Sequence, residues 1–255
     1  MKRFWRAAWP LIPALMLGSC ASLPKDSAGF RRGDETKDPY EGWNRKVFAF
    51  NQVVDMALLR PIAEGYVHVV PPKGRDTVRN IVDNLSEPLV MANCLLQARW
   101  RDAGVTGGRL LVNTTIGIGG IRDVATQLKL KRQVGDFGQT LWKWDFAPGP
   151  YLILPVLGPS SPRDAIGLGV DAYMDPMRYV VQHRPDSDYF SIGRIAADGI
   201  DERARNLDAL DIIKREAIDY YASFRSLYLQ NRNADLTSDQ PKRPAPTPGL
   251  YDSEQ

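Results

Sequence analysis

The chain has 255 residues, 44% hydrophobic and 25% charged, which are globular proportions that exclude disorder over most of its length. Gly (21) and Pro (19) show no period and there are only two cysteines, so collagen-like arrays, disulfide scaffolds and Cys-based zinc clusters are excluded. The net charge of +3 rests on Lys2, Arg3 and Arg6; without them 30 basic residues face 30 acidic ones, and basicity no longer argues for a nucleic-acid partner.

Met1–Arg6 form a positive segment, followed by the short apolar stretch Ala7–Leu17, interrupted by Pro10 and Pro13. A bilayer core takes roughly 20 helical residues, so this stretch reads as a secretory signal over 1–19 and not as a span. It ends in Leu17-Gly18-Ser19-Cys20, which is similar to the lipobox of bacterial lipoproteins. Cys20 is then the residue that is acylated. Two or three acyl chains on it would anchor the protein stably, each buried CH₂ contributing about 0.8 kcal/mol. The residue after Cys20 is not Asp, which by resemblance to the enterobacterial sorting rule sends the protein to the outer membrane. Residues 20–37 read as a polar linker, 38–236 as one helical domain, and 237–255, with four prolines, as a disordered tail.

Asp38-Pro39-Tyr40-Glu41 has the form of a helix start with a capping box. Behind it two stripes run at helical spacing. Tyr40, Trp43, Val47, Phe50, Val54 and Ala57 make an apolar face, and Asn44, Phe48, Asn51 and Asp55 a face mixing amides, a ring and a carboxylate. Further helices are expected at about 74–85, 88–98, 105–115, 162–173, 188–204 and 207–231, that at 162 opening on Ser161-Pro162. Leu89–Leu96 is apolar nearly all round, which means full burial or contact with lipid; Cys94 lies within it. Thr140–Trp144 and Tyr151–Val156, flanking Ala147-Pro148-Gly149-Pro150, are expected to form a short hairpin. The fold class is mainly α.

Chemistry-bearing motifs are scarce. His68 and His183 fit no HExxH pattern; His68 lies in an apolar setting that suggests a packed ring, and His183 looks exposed. No GxSxG elbow or nucleotide-binding motif occurs, so neither a lipid hydrolase nor an ATP-driven machine is indicated, and no metal or other cofactor is expected. Gly117-Ile118-Gly119-Gly120 reads most simply as a turn needing positive φ. Arg122-Asp123 and Arg163-Asp164 are charge pairs at expected helix starts. They are structural in most such settings, although an arginine there could also meet a lipid phosphate bidentately.

Taken together, Asp38–Arg45, Phe48–Asn51, Asn84–Pro88, Asn93–Gln97, Asn113–Asp123, Asp136–Leu141, Gly149–Pro155, Leu157–Asp164 and Arg225–Gln230 closely resemble the MlaA (VacJ) family of outer-membrane lipoproteins, in order over about 38–231. The resemblance implies a ring-like, single-domain helical protein embedded in one membrane leaflet. It implies an amphipathic channel that takes mislocalised phospholipid from the outer leaflet and passes it to an MlaC-like periplasmic carrier. A trimeric outer-membrane porin is the implied partner. On this reading Asn44, Phe48, Asn51 and Asp55 line or border the channel, and the loop of Gly117, Gly119 and Gly120 gates it. The competing reading is a porin-associated structural lipoprotein with no lipid path.

Overall fold

A computed structural model of the chain describes residues 38–177 and 187–237. The expected lipidation residue Cys20, His183 and nearly all of the expected tail lie outside them. The described part is mainly helical: α1 (Glu41–Val54), a π-helical turn (Asp55–Leu59), α2 (Arg60–Val69), α3 (Pro72–Leu96), α4 (Trp100–Thr115), α5 (Val124–Gln127) and α6 (Phe137–Lys143). A two-stranded antiparallel hairpin follows, β1 (Leu152–Leu154) and β2 (Gly158–Ser160), in the register Leu152↔Ser160 and Leu154↔Gly158. Then come α7 (Pro162–Met174), α8 (Ser187–Arg205), α9 (Leu207–Glu216) and α10 (Tyr220–Thr237).

Neighbouring elements close a circuit. α1 runs through the π-turn into α2, which packs on α8; α8 packs on α3, α3 on α6, α6 on α7, and β1 returns to α1. α4 lies along α3 and carries α5. α10 straps one side, its rings against α1 and the hairpin and its Arg232 on Asp136 and Asp164.

Where a cap is local, the element begins as expected. Ser161 accepts from the Asp164 N–H at 3.2 Å, and Pro162 fills the first helical position. Asp38, by contrast, forms no capping box: α1 starts at Glu41, whose carboxylate pairs with Arg45, while Asp38 accepts from Asn44 and Tyr221. The two helices expected at 74–85 and 88–98 are one helix of 25 residues with Pro88 inside it. A proline removes one backbone bond, and packing along α4 outweighs that loss. Thr140–Trp144 is not a strand. Asp136 caps α6 by accepting from Gln139 N–H at 2.8 Å, and the hairpin forms between 152–154 and 158–160 instead. The single helix expected at 207–231 breaks at Ala217–Asp219, where Ala217 is extended and Asp219 accepts from Ala222 N–H.

Burial is inverted relative to a water-soluble domain. Among the described residues sixteen polar or charged residues are buried against thirteen hydrophobic ones, while 28 large hydrophobic side chains are exposed. The largest apolar cluster is small: Val47, Phe48, Tyr151, Ile153 and Tyr221, with rings of α10 around it. Leu95 and Leu96, at the end of the apolar run of α3, face outward, whereas Cys94 is buried. No described helix is long and apolar enough to cross a membrane.

Candidate functional site

The two stripes of α1 exchange roles in part, Val47 of the apolar stripe being buried with the amide stripe. Trp43 and Phe50 are 61% and 51% exposed, whereas Asn44, Val47 and Phe48 are buried. Asn44 Nδ2 donates to the Tyr151 carbonyl at 3.0 Å, and its Oδ1 accepts from Ile153 N–H at 2.9 Å. Two turns on, Asn51 Nδ2 donates to the Leu154 carbonyl at 2.9 Å and Oδ1 accepts from Val156 N–H at 2.7 Å. Two amides thus bond backbone groups in and beside β1, doing the work of a neighbouring strand. Phe48 sits between them, its ring 5.3 Å from Tyr220, 5.5 Å from Tyr221 and 5.4 Å from Phe224. Asp55 accepts from Arg203 Nε at 2.6 Å. These four residues thus all make contacts within the chain, Asn44 and Phe48 buried and Asn51 and Asp55 half-buried. An amide stripe docks inward because each amide can satisfy a donor and an acceptor at once.

The glycine loop is held from beneath by charges that the sequence reading did not connect. Arg109 of α4 and Glu87 of α3 are almost fully buried and meet at 2.8 Å. Arg109 also reaches Asp123 at 3.2 Å, the Leu130 carbonyl at 2.6 Å and Thr126 Oγ1 at 3.0 Å. Asp123 accepts from Asn113 and caps α5 through Thr126 N–H. Burial pushes the Glu87 carboxyl up, against the pull of Arg109. Burial would also raise Asp123, but hydrogen bonds from Thr126 and Asn113 offset this and hold it below the usual range. Signals for this network existed: a lone arginine on the Ala103–Thr106–Asn113 face of α4, and a glutamate directly before Pro88.

Above the network the chain turns tightly. Ile118, Gly119 and Gly120 take φ of +56°, +67° and +92°. Gly117 is needed for a different reason, since a Cβ there would lie 2.3 Å from the Arg122 carbonyl oxygen. The expected turn is present, and it pushes Ile116, Ile118 and Ile121 outward beside Leu111 and Leu128, all exposed. Of the two charge pairs, Asp123 is structural as described. Arg163 is buried, with Nε on Asp164 at 3.1 Å and both Nη atoms without acceptors, and Asp164 binds Arg232 and Tyr228. Arg122 is exposed and makes no ion pair among the described residues. His68 is exposed rather than packed, at the end of α2. Among the described residues no three metal-binding side chains converge.

The remaining motif residues are seams of the circuit. Asn93 donates to Asp171 at 2.7 Å and accepts from Thr140 at 3.0 Å, and Gln97 donates to Thr140, joining α3, α6 and α7. Arg232 clamps Asp136 and Asp164 from α10.

A family model described as MlaA lipoprotein matches residues 36–235. An uncharacterized protein of Rickettsia felis is 36% identical over 203 residues, 79% of each chain. The protein named intermembrane phospholipid transport system lipoprotein MlaA in Escherichia coli K12 is 33% identical over 231 residues, 87% of each chain, and that of Haemophilus influenzae 32% over 226. A solved chain, from work on the structural basis for maintenance of bacterial outer membrane lipid asymmetry, aligns with TM-score 0.69 and 33% identity, covering 78% of this chain and 99% of that one.

Proposed function

The chain belongs to the MlaA lipoprotein family, and from that membership we propose that it is an intermembrane phospholipid transport lipoprotein of a Gram-negative outer membrane. It is anchored on the periplasmic side through acylated Cys20 and lies in the inner leaflet. It removes mislocalised phospholipid from the outer leaflet and passes it to an MlaC-like carrier, held in place by a trimeric porin. The transfer involves no bond chemistry; the drive is differential lipid binding downstream.

The observation that carries this reading is the inverted burial: apolar side chains outward, polar seams inward. Monomeric soluble proteins rarely expose large contiguous apolar patches, because water penalises them. A leaflet removes that penalty and strengthens buried polar contacts, for which no water competes. On this reading the lipid path runs through the circuit of elements and the Gly117–Gly120 loop borders it. Arg122, exposed beside that loop, is suited to meet a lipid phosphate. The Asn44 stripe supports the wall from within. Against a lipid-free scaffold, the family role of the relatives is lipid transport.

The test is complementation. In a Gram-negative strain lacking its own family member, the chain restores outer-membrane asymmetry, read as loss of outer-leaflet phosphatidylethanolamine to a membrane-impermeant amine label. Full expression in the outer membrane with undiminished labelling would refute the proposal.

A further inference from the structure

Between Ile116 and Arg132 the chain doubles back along α4. It leaves the end of α4, forms the glycine turn and α5, and by Leu130 has returned two turns down the helix. There the Leu130 carbonyl accepts from Arg109 at 2.6 Å, and the Leu130 side chain lies against Gly108. Seven helical residues rise about 10 Å, so the turn and the returning strand of chain form one surface layer. Its outer side is apolar: Leu111, Ile116, Ile118, Ile121 and Leu128 are all exposed. Interleaved with them are Arg122, Lys129, Lys131 and Arg132, also exposed.

The charges of this layer do not balance. Asp123 is its one carboxylate, and Arg109, Asn113 and Thr126 engage it. Arg132 pairs with Asp83 of α3, and Arg109 with Glu87. Arg122, Lys129 and Lys131 make no ion pair among the described residues. With every bonded partner counted, Arg109, Arg122, Lys129, Lys131 and Arg132 face Asp83, Glu87 and Asp123, and the excess is positive and outward. The backbone points the same way. Ile118 and Lys129 take φ of +56° and +62°, a conformation that glycine or asparagine ordinarily supplies and that a β-branched residue resists. Ile118 is 65% exposed, so no packing within the chain offsets its strain. Strain of this kind gathers where a surface meets a ligand.

We infer that this layer selects anionic phospholipid, the isoleucines resting at the boundary between headgroups and acyl chains and Arg122, Lys129 and Lys131 meeting lipids of net negative charge. The inference rests on the leaflet placement proposed above and adds to it a headgroup class. Lysine stems lie along apolar surface while their ammonium groups reach the phosphates. Apolar residues flanked by cations are the composition of surfaces that sit in an anionic interface. An acidic protein would match the cations but does not account for isoleucines held outward between them.

The acylated mature chain is reconstituted in phosphatidylcholine vesicles with a fluorophore on Thr115→Cys, an exposed position; Cys94 is buried. Brominated phosphatidylglycerol and brominated phosphatidylethanolamine are titrated in separately as contact quenchers. The expected result is quenching at a lower fraction of phosphatidylglycerol. Lys129→Gln with Lys131→Gln lowers that preference about fivefold for each charge removed, whereas Lys46→Gln with Lys73→Gln, exposed cations on α1 and α3, does not. About 1 M salt, where the Debye length is about 3 Å, abolishes the preference. Equal quenching by the two lipids, or a preference unchanged in the Lys129 and Lys131 variant, overturns the inference and leaves the leaflet reading standing. Quenching by neither lipid overturns it as well and gives the surface to a protein partner. A preference for phosphatidylglycerol in a chain that fails to restore asymmetry in cells keeps this surface and removes the transport reading.

Discussion

Replacing Arg109 with leucine would test the seam beneath the glycine loop. The guanidinium contacts Glu87 at 2.8 Å, Asp123 at 3.2 Å, the Leu130 carbonyl at 2.6 Å and Thr126 at 3.0 Å. Leucine supplies none of these, so the Glu87 carboxylate stays buried without its hydrogen-bond partner. Breaking one side of a buried pair costs about 3–5 kcal/mol. For a domain of this size each kcal/mol lowers Tm by about 2–4 °C, so the shift is roughly 6–20 °C. The loss depends on pH. Burial raises Glu87 in the folded state, and without Arg109 only the weaker attraction of Arg132 pulls it back. The folded state then binds more protons than the unfolded one above the ordinary glutamate range. Stability therefore falls as pH rises from there through the raised folded value, and the deficit is smaller at pH 5 than at pH 8. Arg109→Leu combined with Glu87→Leu should recover most of the loss, because an apolar pair replaces an uncompensated charge. Thermal unfolding by circular dichroism in detergent at both pH values reads this out. A double variant no more stable than the single, or a deficit independent of pH, would refute the reasoning.

Asn44→Leu leaves the Tyr151 carbonyl and Ile153 N–H unpaired at the hairpin edge; it should cost about 2–5 kcal/mol by chemical denaturation and open the 155–157 turn to protease. Gly119→Ala places a Cβ in open space at φ +67°, so only about 1–2 kcal/mol of backbone strain is expected, whereas Gly117→Ala meets two backbone oxygens and should displace the loop. Limited proteolysis across 116–122 and the asymmetry assay should separate the two, with transport lost in Gly117→Ala alone. Cys20→Ala should leave an unprocessed or mistargeted protein, visible by mass spectrometry of the N-terminus and by fractionation. Lipid photocrosslinkers placed along α1 should label positions 43 and 50 above 44 and 48, since the former two side chains are exposed and the latter two buried.

Elements with local chemical signals at their ends were legible from the sequence. Ser161-Pro162 starts α7 as its letters indicate. α3 was not, because whether a helix runs through Pro88 is decided by what packs along both sides of the proline. Thr140–Trp144 misleads through its β-forming residues, although Asp136 with Gln139 three residues later is the capping pair that sets α6. The candidate site was half legible. The amide–ring–amide–carboxylate stripe is unusual on any helix and does prove important. Its direction could not be read, because the rule that apolar faces turn inward presumes water outside. The Arg109–Glu87 seam joins residues 22 positions apart on different helices, a pairing no local pattern announces.

The scarcity of buried hydrocarbon has a thermal consequence. The heat-capacity increment of unfolding, usually about 12–15 cal/mol/K per residue, arises mainly from apolar surface newly exposed to water. Here much of the apolar surface already faces outward, and opening the seams exposes amides, carboxylates and guanidinium groups, which lower the increment. Unfolding should therefore carry a small heat-capacity change, and the curve of stability against temperature should be shallow. A protein built this way would keep nearly the same folding free energy from cold surroundings to warm ones, and in the proposed leaflet setting its working range would be set by the state of the lipid more than by its own melting.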